Sequence, residues 1–199
     1  MRVVTPEANR PRLSRDLIVA AARSVADSTG LDSLTLREVA RELGTGQASL
    51  YRHIADRREL LGLLADDLAL GFPLADPALP PRERLPALWQ SLHGYLSRHR
   101  WAARVIVDGE HTSRNAVPFV DSLLDCSAAV GMGPALAMRT YQAVYNLLLG
   151  YLLNEHPMGH DREGGQRPLP GWHVAGGQDA FCWAMRCLLD GVLEGRGDL

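Results

Sequence analysis

The sequence predicts an all-α protein, a small N-terminal three-helix unit followed by a larger set of antiparallel helices. Two observations carry that expectation: apolar residues recur at i, i+3 and i+4 through most of the chain, and no stretch shows the alternation of a half-buried strand. A third is the punctuation, with glycine or proline standing between successive apolar stripes. With 199 residues, 46% hydrophobic and 22% charged, the composition is that of an ordinary soluble globular chain. A fold of this size hides roughly 70% of its unfolded surface, so it needs no covalent staples. Cys126, Cys182 and Cys187 are odd in number and lack CxxC spacing, which fits a reduced cytoplasmic compartment. Met1 to Arg12 has no apolar stretch of signal-peptide type, and the most apolar run, Ala143 to Leu153, is too short to cross a bilayer. No membrane partner is expected.

In chain order, Ser14 is the expected N-cap and Gly30 the stop of a first helix whose inner stripe is Leu17, Ile18, Ala21, Ala22 and Val25. Thr35-Leu36-Arg37-Glu38 reads as a capping box, in which hydroxyl and carboxylate satisfy the orphan amides of a helix start. Leu36, Val39, Ala40 and Leu43 form a short buried stripe, which Gly44 ends in the left-handed conformation. After Gly44-Thr45-Gly46, a third helix of about seven or eight residues starts near Gln47, with Leu50 and Ile54 inward. Gln47, Ser49, Arg52 and His53 then point outward. Asp56-Arg57-Arg58-Glu59 repeats the capping pattern ahead of a linking helix over about 57–71, with Leu60, Leu61, Leu64 and Leu68 as its apolar side.

The expected domains are therefore 1–58 and 59–199. Past the proline-rich link from Pro73 to Pro81, Leu85, Leu88, Trp89, Leu92 and Leu96 mark another amphipathic helix. Further helices are expected at about 101–108, 118–130, 134–154 and 178–194, the last two separated by a Gly- and Pro-rich mobile loop over 156–177.

Charge is distributed unevenly. Residues 1–60 hold 10 arginines against 8 acids, residues 61–199 hold 11 against 15, and lysine is absent. A modestly basic end on an acidic remainder hints at a polyanionic partner for the N-terminus. The arrangement at 35–54 is more specific: two short helices joined by a glycine-containing turn make a helix-turn-helix, whose second helix can enter a DNA major groove. Gly46, Ala48 and Ser49 are small, which lets backbone approach base edges.

The stretch from Leu34 to Leu61, LTLREVARELGTGQASLYRHIADRRELL, resembles the DNA-binding head of the tetracycline-repressor (TetR) family of bacterial transcription regulators. Its marks are Leu43-Gly44, Leu50-Tyr51-Arg52-His53 and Asp56-Arg57-Arg58 before an apolar helix. The likeness is strong over about 13–65 and looser through Glu83 to His99 and Phe181 to Leu193. It implies a helix-turn-helix DNA-binding domain followed by a helical ligand-binding and dimerisation domain.

Carried over by position, the resemblance implies that Gln47 reads a base edge, its amide suited to adenine, and that Arg37 reaches guanine. Ser49 touches base or phosphate, while Thr35, Tyr51 and His53 hold phosphate oxygens and set register. Arg57 stands where lysine is usual, at a helix start that already favours an anion. Ala48 and Arg52 complete the candidate DNA-binding set. Structural roles stay open for several: a cap for Thr35, interhelical packing for Tyr51, solvated charge for Arg37 and Arg52, plain exposure for Gln47.

One head reads too few base pairs for useful specificity, so a homodimer on a palindromic double-stranded operator is expected, with half-sites roughly 34–36 Å apart or a multiple of it. Leu136, Tyr141, Tyr145, Leu148, Leu149 and Leu152 in 134–154, and Phe181, Met185, Leu188, Leu189 and Val192 in 178–194, leave little polar face. Such helices need cover on two sides, which a four-helix bundle from two subunits supplies. Trp89, His93, Trp101, Phe119 and Asn146 are the candidate ligand-binding residues for an unknown small-molecule effector, although core packing accounts for each equally well. Ile106 occupies the place where tetracycline-binding members put a magnesium-binding histidine, which argues against that ligand.

No metal or cofactor is expected. His156, His160 and Asp161 are interrupted by Pro157 and Gly159, which deny them helical ligand geometry. No nucleophile elbow, P-loop or dinucleotide fingerprint is present in the sequence. His111 beside Glu110 and Asp108 reads as a solvated helix end. The expected function is a ligand-responsive transcriptional regulator, a repressor released from DNA by its effector. An all-α small-molecule-binding enzyme and a helical protein-interaction module without DNA binding are the alternatives.

Overall fold

The computed structural model describes residues 13–108, 113–153 and 178–195. Among them are nine α-helices, two short 3₁₀ turns and no strand. The expected loop at 156–177, with His156, His160 and Asp161, lies outside the described residues, as do Glu110 and His111. By contacts the chain divides into two compact units, Met1–Leu64 and Ala65–Leu199.

In the first unit, α1 (Arg15–Thr29) starts where Ser14 Oγ accepts the Leu17 amide at 3.3 Å and stops at Gly30, with φ of 82°. Its buried stripe is Ile18, Val19, Ala21, Ala22, Val25 and Ala26, so the face is turned slightly from the expected one and Leu17 is only half-buried. A 3₁₀ turn at Leu31–Ser33 leads to α2 (Leu36–Glu42). Half of the expected capping box forms there. Thr35 Oγ1 accepts the Glu38 amide at 3.2 Å, but the Glu38 carboxylate pairs with Arg41 at 2.8 Å instead of returning to Thr35. An arginine one turn ahead competes successfully for that carboxylate.

Helix α2 ends in a Schellman motif. Gly44 has φ of 60°, its amide donates to Arg41 O, and the Thr45 amide donates to Ala40 O. Helix α3 (Gln47–Leu50) is four residues long rather than the expected seven or eight. The chain tightens after it because Leu50 O accepts both the His53 amide at 2.8 Å and the Ile54 amide at 2.9 Å. Residues 51–53 are thus turn, yet Leu50 and Ile54 are buried as the pattern requires. Leu43, expected in the core, is half-buried. At the start of α4 (Arg57–Leu70) the capping box is shifted: Asp56 Oδ1 accepts the Glu59 amide, while Glu59 Oε2 takes the Ala55 amide, one residue earlier than the cap.

In the second unit, α5 (Pro81–Leu96) packs against α7 (Val117–Ala129), α8 (Pro134–Leu153) and α9 (Gln178–Glu194), and α6 (Ala102–Val107) packs on α8. Pro81 opens α5 at a position whose amide needs no partner. Trp89, Leu88, Leu96, Leu123, Val144 and Phe181 form the core. The Tyr95 hydroxyl donates to Leu68 O in the last turn of α4, and a side chain at Gly71 would fall on that hydroxyl. The outward faces of α8 and α9 are more polar than expected, carrying Arg139, Gln142 and Asn146, and Arg186 and Asp190. Among the described residues no helix is long and apolar enough to cross a membrane.

Gly44 has open space beside it, so replacing it with alanine adds only the strain of a left-handed backbone. Gly44→Ala is expected to cost about 1–2 kcal/mol, read as a lower urea midpoint with unchanged helical content.

Candidate nucleic-acid interface and ligand cavity

Five of the nine candidate DNA-binding residues, Thr35, Arg37, Gln47, Tyr51 and Arg57, line one shallow recess of about 270 Å³, with Leu36, Ala55 and Asp56. Ala48 is exposed beside it, as is Arg52; Ser49 and His53 are half-buried. Gln47 Nε2 donates to the Tyr51 hydroxyl at 3.2 Å. That uses one of two amide hydrogens, leaving a second hydrogen and the carbonyl oxygen to meet a base edge. The tyrosine proton stays available for an anion. Arg52 Nη2 donates to Ser49 Oγ at 3.3 Å, and the serine proton is likewise free to donate. Arg37 is exposed and has no hydrogen-bond or ion-pair partner among the described residues.

Arg57 is placed differently from the other cations. Its Nε and Nη2 each donate, at 2.9 Å, to Leu34 O and Leu31 O, so much of the guanidinium fork is spent tying the start of α4 to the turn ahead of α2. Arg15 plays a similar part: Nε donates to His53 O at 3.0 Å, and Nη2 pairs with Glu59 at 2.8 Å. Sequence reasoning passed over Arg15. The available signal was a cation in the first turn of α1, where the helix dipole disfavours it unless an acid is near.

The second unit holds a cavity of about 350 Å³ lined by Phe72, Phe119, Tyr141, Tyr145, Ser113 and Asp121 together with aliphatic groups of α4, α5, α6 and α7. Of the five candidate ligand residues only Phe119 lines it. Trp89 stands behind the wall, 6.2 Å from Phe119 and 5.7 Å from Tyr141 between ring centroids. His93 is stacked on Phe181 at 4.7 Å, Trp101 is buried beside His99, and Asn146 is exposed on α8. Tyr141 and Tyr145, four residues apart on α8, stack at 5.7 Å with 15° between planes. Their spacing is legible in the sequence, where it equally suits a dimer face; the structure has both lining the cavity. Burial raises the pKa of Tyr141, and burial with Tyr141 nearby pushes Tyr145 up to about 12. Both stay neutral phenols. Cys126 is buried with Arg84 Nε donating to its sulfur at 3.0 Å, and burial raises the Cys182 thiol. No group of three or more possible metal ligands exists among the described residues.

Residues 18–64 match the family described as "Bacterial regulatory proteins, tetR family", and residues 76–175 match "Tetracyclin repressor-like, C-terminal domain". The chain belongs to the TetR family. It is a TetR-family transcriptional regulator, and members of that family are regulators rather than enzymes. An HTH-type transcriptional regulator of Saccharopolyspora erythraea is 29% identical over 171 residues, covering 83% of this chain and 70% of that protein. BioQ, solved with its double-stranded DNA operator, superposes with a TM-score of 0.70 at 26% identity, covering 92% of this chain and 99% of the other. The Streptomyces coelicolor TetR family protein ActR, solved in complex with actinorhodin, gives a TM-score of 0.74 at 25% identity, covering 94% and 100%.

Two outcomes follow for this TetR regulator. Arg57→Ala removes two charge-assisted bonds to backbone carbonyls and should lower the stability of the N-terminal unit by about 1–3 kcal/mol, read by amide exchange at Leu31 to Leu34. For Tyr145 the folded pKa lies above the unfolded value of 10.0. Its stabilising contribution is therefore complete below pH 10 and is lost as pH rises toward 12, because the unfolded chain ionises first. Tyr145→Phe should flatten that alkaline loss in pH-dependent urea melts.

Proposed function

We propose that this regulator is a cytoplasmic repressor that binds a palindromic operator as a homodimer and leaves it when a small-molecule effector occupies the cavity of the second unit. The observation that carries the DNA half is the gathering of exposed Arg37, Gln47, Ala48, Tyr51 and Arg52 on and beside a helix whose inner side is wholly buried. Those side chains have no packing duty. Gln47, buttressed by Tyr51, is the base reader, with Arg37 a second reader or a phosphate contact. Thr35, Ser49, Tyr51, Arg52 and His53 set position against phosphates. Arg57 acts chiefly by holding the head together, with any phosphate contact secondary. A DNA-binding head over about 1–58 and an effector and dimer domain over 59–199 are the working parts.

The effector half is supported by α4, one continuous helix that carries Arg57 at its start and presents Ala65, Leu68 and Ala69 to the cavity near its end. A ligand that prefers one placement of that last turn biases the whole helix, and a preference of about 1–3 kcal/mol is enough for useful release. Helices α8 and α9 are the proposed dimer faces. Met138 and Leu153 on α8 and Trp183 on α9 are large apolar side chains left exposed, and Ala143, Gly150 and Gly191 offer small surfaces for close approach. The solved complexes of BioQ with an operator and of ActR with actinorhodin are consistent with this reading.

Selecting bound duplexes from a random pool tests it. An inverted repeat should emerge, with affinity falling steeply as salt rises. Gln47→Ala should cost about 1–3 kcal/mol at one base position and relax the preference there, whereas Arg52→Ala should weaken every duplex alike. An enriched site without two-fold symmetry, or no enrichment at low salt, would sink the proposal.

A further inference from the structure

We infer that the cavity takes a planar aromatic cation, its rings packed against the stacked Tyr141–Tyr145 pair and its charge meeting Asp121; this rests on the reading of the cavity as the effector site. Three features of the lining carry it. The first is shape: Tyr141 and Tyr145 are stacked in parallel, their planes 15° apart, and both border the space, while Phe72 meets Phe119 edge-on at 5.7 Å. Ring faces carry partial negative charge, so they favour flat apolar groups and attract cations. At about 350 Å³ the space is at the small end of the roughly 300–1,000 Å³ of ligand sites. A fused tricycle suits it better than a larger ring system.

The second feature is charge. The chain has 21 arginines, yet among the described lining residues none is basic, and Asp121 is the one ionisable carboxyl group. An anion entering this space would lose water against ring faces and a carboxylate, with no cation in that lining to offset the loss. A cation meets the opposite conditions.

The third feature is vacancy of partners. Asp121 makes no hydrogen bond or ion pair with any described residue, and the Tyr141 and Tyr145 hydroxyls make no hydrogen bond to one. Asp121 is exposed, so the charged end of a ligand would keep some water while its rings are covered. An uncharged aromatic would be held by the rings and the two hydroxyls and would leave the Asp121 charge unused.

Three probes sharing one tricycle separate these cases: 9-aminoacridine, a cation at neutral pH, uncharged acridone, and anionic acridine-9-carboxylate. Binding is measured by calorimetry on the full chain without DNA, because cationic acridines intercalate. The expected result is 9-aminoacridine bound about fivefold or more tighter than acridone, with the carboxylate weaker than both. Asp121→Asn, at an exposed position that does not threaten folding, should erase the cation's advantage and leave acridone within about twofold. Tyr145→Leu should weaken all three, which locates them in this cavity. The inference is overturned if the carboxylate binds as well as the cation, if Asp121→Asn keeps the preference, or if Tyr145→Leu changes nothing. Best binding by acridone or the carboxylate, still lost in Tyr145→Leu, removes the charge assignment but leaves the effector site standing. Absence of binding by all three removes both.

Discussion

A four-residue helix cannot hold itself together in water, since nucleating a single turn fixes several dihedral angles for each hydrogen bond gained. The exposed side of α3 therefore takes its geometry from its hidden side. Leu50 and Ile54, 0% and 1% exposed, fix the rotation of the segment about its axis, and the doubly used carbonyl of Leu50 fixes where it turns away. Arg15 holds the carbonyl of His53 from α1, and Arg57 holds the strand of backbone ahead of α2. Where Gln47 and Tyr51 point is a consequence of these anchors rather than of any helical propensity in QASL. A reading head with so little structure of its own costs little to build and depends wholly on its supports.

The second unit solves a different problem. Its core residues, with Trp89 and Phe181 at the centre, are packed densely enough to leave one side of α7 and α8 free to line a space. The aromatic groups there are divided between roles. Trp89 and His93 are structural, braced by Tyr141 and Phe181, whereas Phe72, Phe119, Tyr141 and Tyr145 face the opening. Helix α4 belongs to both problems, since its first turn is capped by Asp56 within the head and its last turn is held by the Tyr95 hydroxyl.

Much of this was legible in the residues. Helix ends signalled by Ser14, Gly30, Thr35 and Gly44 fall where backbone chemistry puts them, because caps act locally and need no knowledge of the fold. The apolar spacing of Leu50 and Ile54 likewise located the inner side of the head. What was not legible depended on competition between distant groups. Glu38 left the cap for Arg41, Glu59 reached past its expected partner, and Arg57 turned to two carbonyls more than twenty residues back in the chain. The residues that line the cavity were not legible for a related cause. Residue type says that Trp89, His93 and Trp101 are hidden, but only three-dimensional packing says whether a hidden ring meets a neighbour or an opening. Asn146, chosen as a polar anchor, sits on the outer side of α8 because the helix turns Tyr141 and Tyr145 toward the space.

The close approach at the end of α4 limits how this chain can diverge. Gly71 has no room for a β-carbon while the Tyr95 ring stands where it does, bonded to Leu68 O. A larger residue at 71 is tolerable only together with a smaller or redirected one at 95. Within relatives that keep this junction the two sites should drift in order, residue 95 shrinking or turning away before residue 71 grows, and an ancestral reconstruction that enlarges residue 71 while Tyr95 remains would pass through an intermediate with a collision at the base of the helix.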